Sequence, residues 1–156
     1  MNKQLIEALN KQINFEFQCA YFCFAMSTNF ETAIMDVLSK NMIKKAFRRL
    51  QIAKKLCSYM CLRQETITFS KINEPNYARK DVSGIFLRTE VQEQISQHEL
   101  IKLHQLALMV NDKRTAEFLK ETVNSCNFCN KHKSNNENNR AFEVYKYSDR
   151  ELLKEY

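Results

Sequence analysis

Glu16, Arg49 and Glu93 are the residues of this chain best placed to do chemistry, because each falls where helical packing would bury it. Glu16 continues the run Leu5, Leu9 and Ile13 toward Ala20 and Cys23, and Phe15, Phe17, Tyr21, Phe22 and Phe24 broaden that face. Arg49 stands in the near-heptad seam Leu38, Met42, Lys45, Ile52, Leu56 and Tyr59, and Glu93 shares a face with Phe86, Leu100 and Ala107. A carboxylate taken out of water is costly unless it is paired or holds a metal. Two carboxylates begin a site for a hard cation, whereas a guanidinium beside them begins an ion pair. Arg49 either pairs its fork with Glu16, Glu93 or both, or snorkels outward and leaves the acids to water or to each other. The burial cost favours pairing.

The six cysteines form three helix-spaced pairs, Cys19 with Cys23, Cys57 with Cys61 and Cys126 with Cys129, each able to share one face. Thiolates are soft ligands that suit zinc or cuprous copper. The plainer reading, packing as small hydrophobes, is preferred because no four-ligand closed site can be assembled from these spacings. His98, His104 and His132 stand singly and read as surface or capping residues. Lys40, Lys44, Arg48 and Lys55, widened by Lys45 and Lys54, make a basic stripe on the outward side of the second helix. Together with a formal net charge of +6, the stripe permits attraction of phosphate, nucleic acid or anionic surfaces, although such a run is ordinarily a solvated face.

Helices must position these groups. A chain of 156 residues with 44% hydrophobic content suits one domain, residues 1–156, around a single core. One Gly and one Pro leave little turn chemistry for a strand-rich fold, so the expected class is all-α. The first helix runs to about Thr28, a turn follows between Asn29 and Asp36, and the second helix carries the Arg49 seam. Periodicity lapses from Arg63 to Ser83 around Pro75, which predicts a long crossover. A third helix starts at about Val82, Asn111-Asp112-Lys113 breaks it, and a fourth carries Phe118, Leu119, Thr122, Val123, Cys126 and Cys129. The bundle thus occupies residues 2–133, a polar turn 134–147, and a short fifth helix 148–156, opened by Ser148 and Glu151 as a capping box. No apolar leader and no membrane-spanning run is present, so a cytoplasmic location with reduced thiols and no membrane partner is expected.

Four long helices, one long crossover and a short terminal helix resemble the ferritin fold. The resemblance becomes specific at Leu9-Asn10-Lys11-Gln12-Ile13-Asn14-Phe15-Glu16, similar to the opening of bacterial non-haem ferritins, and at Glu93-Gln94-Ile95. Pro75, Asn111-Asp112 and Tyr147-Ser148-Asp149-Arg150-Glu151-Leu152 also fall where that family has similar residues, and the register runs without a gap from Leu9 to Lys131. The resemblance implies a di-iron oxidation centre with Glu16 and Glu93 as two of its ligands. Where the family carries Glu-x-x-His on the second helix, this chain reads Phe47-Arg48-Arg49-Leu50-Gln51-Ile52, so the bridging Glu falls on Arg49 and the His on Ile52. The acidic and amide positions of the fourth helix fall on Ser125, Cys126, Phe128 and Cys129, which makes Cys126 and Cys129 the thiols best placed to join Glu93 around a soft metal. Two carboxylates are too few for a di-iron centre, and a guanidinium between them repels cations.

The resemblance therefore implies a shell of identical subunits, twenty-four in the family, associated with intracellular iron storage. The terminal helix, with Leu152 and Leu153, would pack about the four-fold axes. Its own ferrous oxidation would be weak or absent, with Arg49 replacing the metal and iron occupancy low. In such a shell the stripe of Lys40, Lys44, Arg48 and Lys55 lines the interior, where the family places carboxylates. The alternative is a non-enzymatic cage whose basic interior binds phosphate, nucleic acid or other anions. An oxidase rebuilt on Glu16, Glu93 and Cys129 ranks last, because the sequence lacks the ligands.

Overall fold

The computed structural model describes residues 1–29, 36–75 and 82–133, with side chains as far as Cys126. Four helices make up the bundle: α1 (Lys3–Asn29), α2 (Asp36–Leu62), α3 (Val82–Met109) and α4 (Lys113–Lys133). No strand occurs among the described residues. This is the all-α architecture expected from the periodicity, whereas the polar turn at 134–147 and the fifth helix at 148–156 lie outside the described residues. The α1 helix packs chiefly on α2, α3 packs on α4, and α1 against α3 joins the two pairs.

The helices end where the backbone can turn back on itself. Gln64 and Asn111 both adopt the left-handed conformation, each with φ of 57°. After α2, the Glu65 amide donates to the Met60 carbonyl at 3.0 Å and the Gln64 amide to Cys61 at 2.9 Å; after α3, Asp112 donates to Ala107 at 2.9 Å and Asn111 to Leu108 at 3.0 Å. Both are Schellman closures, which usually use Gly. The one Gly of the chain, Gly84, lies inside α3, so Gln64 takes the left-handed conformation at roughly 1 kcal/mol.

Asp112 then starts α4 as its N-cap, its Oδ1 accepting from the Thr115 amide at 3.1 Å. Arg63 grips the same carboxylate with both arms of its fork, at 3.0 Å each. The Arg63 guanidinium also donates to the Tyr59 hydroxyl and to Thr115 Oγ1, both at 2.8 Å. The Tyr59 ring stacks on Phe118 with centroids 3.9 Å apart. One network thus ties the end of α2 to the start of α4.

The crossover after Arg63 runs along α1 and is held by amide side chains four residues apart. Asn10 accepts from the Thr68 amide at 2.7 Å and donates to the Thr66 carbonyl at 3.2 Å. Asn14 accepts from the Ser70 amide and donates to the Thr68 carbonyl, both at 2.7 Å. Gln18 accepts from the Asn73 amide and donates to its carbonyl, both at 3.1 Å. Phe69 adds an edge-on contact with Phe17 at 5.9 Å. Each side-chain amide acts as a short piece of strand edge, satisfying backbone groups that have no helix of their own.

The single core expected from the sequence is divided in two. One cluster gathers Leu5, Leu9 and Ile13 with Leu56, Met60, Leu100 and Leu119. The other gathers Phe22, Cys23 and Met26 with Leu38, Met42, Val82 and Ile85. Polar side chains on α1, α2 and α3 occupy the level between them, and apolar contact does not continue through charge that must be paired.

Two outcomes follow for stability. Asn14→Leu removes both hydrogen bonds from its side chain to the crossover, worth about 1 kcal/mol each, so amide exchange at Ser70 should accelerate by roughly tenfold or more while core amides of α1 stay protected. For Asp112, burial opposes the charge, yet hydrogen bonds from Arg63 and Thr115 hold the carboxyl at about 2 against an ordinary 3.8. A depressed carboxyl contributes stability above its unfolded value and loses it as pH falls through the folded one. Urea midpoints should therefore fall between about pH 4 and pH 2, and Asp112→Asn should flatten that fall by about 1 kcal/mol, allowing for solvent screening.

Candidate functional site

Residues four apart on a helix stack on one face, so Gln12 and Glu16 on α1 project together, as do Lys45 and Arg49 on α2. With Ser96 of α3 these side chains are all buried, Glu16 completely. Glu16 Oε1 accepts from Gln12 Nε2 at 2.7 Å and from the Ser96 hydroxyl. Its other oxygen, Oε2, accepts from Arg49 at 3.2 Å. Both carboxylate oxygens are thereby engaged by protein donors.

Arg49 also faces Glu93, Nη2 to Oε1 at 3.9 Å. Glu93 in turn meets Lys45 at 3.3 Å and Arg48 at 4.0 Å. Burial pushes the Arg49 guanidinium toward losing its proton, but Glu16 and Glu93 together outweigh it, so it titrates above its ordinary range. The layer holds two carboxylates against three cations.

Glu16, Arg49 and Glu93 are thus brought together. Cys126 is half-buried and lines a cavity of about 200 Å³ that also touches Arg49, Glu93 and Ser125. Cys129 belongs to α4, and its side chain lies outside the described ones. The remaining pairs are elsewhere or unreactive. Burial pushes the Cys19 thiol up to about 12 and the Cys23 thiol up to about 11, so neither offers a ready thiolate. Cys57 is half-buried and raised by burial, Cys61 is exposed, and none of the five described cysteines is in a disulfide. Among the described residues no group of three or more His, Cys, Asp or Glu side chains is gathered where a metal could sit.

The basic stripe is narrower than its spacing suggests. Lys40, Lys44, Lys54 and Lys55 are exposed, and Lys40 pairs with Asp36 at 2.5 Å. Lys45 does not widen the stripe: it is 6% exposed and turned toward Glu93. Arg48 likewise leans toward Glu93 instead of pointing straight out. Helical geometry explains both, since Lys45 is one turn before Arg49 on the packed face and Arg48 sits on its border. Gln12 and Ser96 belong to the site as well, although neither is ionisable. Their signal was a polar side chain on a core face, one turn before Glu16 and three residues after Glu93.

A di-iron centre requires several carboxylates and an imidazole around a space open to two cations. The described residues do not fit that set, because Arg49 occupies the space between the two carboxylates. Arg49→Met leaves Glu16 buried without its cation and should cost about 3 kcal/mol or more. Adding Glu16→Gln removes the orphaned charge and should restore most of the loss, as read from urea midpoints of the single and double variants.

A family model described as a ferritin-like domain matches residues 6–127. The bacterial non-heme ferritins of Staphylococcus saprophyticus and Staphylococcus haemolyticus are each 29% identical over 119 residues, covering 76% of this chain and 71% and 72% of their own. An open pore ferritin from the hyperthermophilic archaeon Archaeoglobus fulgidus matches with a TM-score of 0.75 at 21% identity, over 94% of this chain and 85% of its own. A humanized archaeal ferritin gives 0.77 at 23%, over 98% and 92%. The solved structures speak for the fold, and the family model reaches from the first helix into the fourth. On that match the chain belongs to the ferritin family.

Proposed function

We propose that this chain is a shell-forming iron-storage subunit in which an ion-paired layer replaces the internal oxidation centre. Arg49, 3.2 Å from Glu16 and 3.9 Å from Glu93, is the observation that carries this reading. A fixed guanidinium supplies the positive charge that two buried carboxylates require, and it opposes entry of ferrous iron as substrate. Ferrous oxidation by the chain is then weak or absent. Iron oxidised elsewhere is stored as ferric mineral.

Assembly draws support from the family and from the surface of α3. Leu87, Val91 and Ile95 recur every four residues and are 64%, 44% and 43% exposed. A contiguous apolar stripe on a lone chain is an aggregation liability, which a neighbouring copy would remove. The shell would hold twenty-four copies, as in the family. The described cysteines form no disulfide, which accords with a reducing cytoplasm, and no described helix is long and apolar enough to cross a membrane.

Purified protein supplied with ferrous iron in air should elute as a large assembly yet oxidise iron no faster than protein-free buffer. Supplied with an active ferroxidase, it should retain ferric iron on sizing. Oxidation well above buffer that Glu93→Ala abolishes would instead establish a rearranged working centre, and a monomer at all concentrations would end the shell reading.

A further inference from the structure

Packing as small hydrophobes accounts for Cys19 and Cys23, which are buried, but not for Cys57 and Cys61 on the last two turns of α2. Cys57 is half-buried against the apolar cluster that holds Leu56 and Met60, and Cys61 is exposed. Residues four apart stack on one face of a helix, so the two side chains rise one above the other. After burial, the neighbouring Cys61 thiol is what holds the Cys57 thiol above its ordinary range, which sets the two sulfurs in each other's field. The turn that carries Cys61 is closed. Its own carbonyl accepts from the Gln64 amide at 2.9 Å, and the Met60 carbonyl accepts from Glu65 at 3.0 Å.

Helical spacing decides what such a pair can do. Cβ atoms four residues apart stand about 5–6 Å from each other, whereas a disulfide needs about 3.5–4.5 Å. Joining the two sulfurs would break the last turn of α2. Two thiolates on opposite sides of one soft cation stand about 4.6 Å apart, twice a metal–sulfur bond of about 2.3 Å. Rotation of each side chain about its Cα–Cβ bond brings the sulfurs to that separation with the backbone left helical. Cys19 and Cys23 have the same spacing without the access, since burial closes them off and pushes their thiols up to about 12 and about 11.

We propose that Cys57 and Cys61 hold one cuprous ion per chain between their sulfurs. Thiolates are soft ligands and select a soft cation over ferrous iron or magnesium. Zinc closes its shell with four ligands, and among the described residues no third His, Cys, Asp or Glu side chain gathers with these two. A cuprous ion, with its filled d shell, is satisfied by two thiolates in line. On binding, both S–H bonds break, each sulfur gives an electron pair to the metal, and two protons pass to the solvent. Copper stays cuprous, and the complex carries one negative charge. Exposed Cys61 gives entry from water, while the apolar cluster behind Cys57 keeps the inner side dry. The site belongs to one chain and rests on neither the shell nor the storage of iron.

Purified full chain, reduced and kept free of oxygen, should withdraw one cuprous ion per chain from the chelator bicinchoninate, read as loss of the chelate's colour. Cys61→Ser, a change at an exposed side chain, should weaken that withdrawal at least a hundredfold, and Cys57→Ser should do the same. Circular dichroism confirms that each variant is folded. X-ray absorption of the loaded wild-type chain gives a second reading free of any substitution, with two sulfur neighbours expected around copper. No withdrawal of copper, or withdrawal kept in full by Cys61→Ser, would overturn the pair, the latter by assigning copper to the other thiols. A shell of three or more sulfurs would overturn it as well.

Discussion

Everything at the centre of this bundle follows from one carboxylate that has no access to water. Glu16 is completely buried, and a charge so placed must be answered on every side. Gln12 and Ser96 answer one oxygen, Arg49 the other. Arg49 brings Glu93 into the same field, and Lys45 and Arg48 gather around Glu93 in turn. A layer built this way cannot also be greasy, which is why the apolar core is interrupted at this level. It also fixes the register of three helices, since sliding α1 by one turn against α2 would set Glu16 among apolar side chains.

A buried carboxylate answered by an arginine of the same chain links stability to surroundings differently from one answered by a bound metal. A bundle completed by bound metal gains stability as the logarithm of the ratio of metal concentration to dissociation constant. Here the cation is part of the chain. Its contribution is present as soon as α1 and α2 dock, whatever the supply of iron.

Much of this was legible in the residues, for reasons that are physical. Apolar periodicity set Glu16, Arg49 and Glu93 on inward faces because ionisable groups interrupt such stripes visibly. The helix boundary at Asn111-Asp112 was marked by recognisable chemistry, a break of Asn and Asp following the end of a stripe. Lys45 was ambiguous, belonging by spacing to both seam and stripe, and only packing against Glu93 resolves it. Gln12 and Ser96 are neutral, so they carry no alarm when buried. The division of the core was not legible at all, because periodicity reports which face is apolar and not where along the helix the contact lapses. Nor was the way the crossover is held, since Asn10, Asn14 and Gln18 read as an ordinary polar face until an extended chain is laid against them.

That clasp has a metric of its own. Four residues of helix advance about 6 Å, and two residues of extended chain advance about 6.6 Å. The step from Asn10 to Asn14 is therefore matched by Thr68 to Ser70, nearly without strain. The next step on α1 is again four residues, yet the crossover moves three, from Ser70 to Asn73, and the receiving residue is Gln18, one methylene longer. Helix and extended chain act as two rulers with slightly different divisions, read against each other over three marks. Surface connections ordinarily tolerate gained or lost residues. This one does not, because a single insertion between Thr66 and Asn73 would move every later mark off its amide.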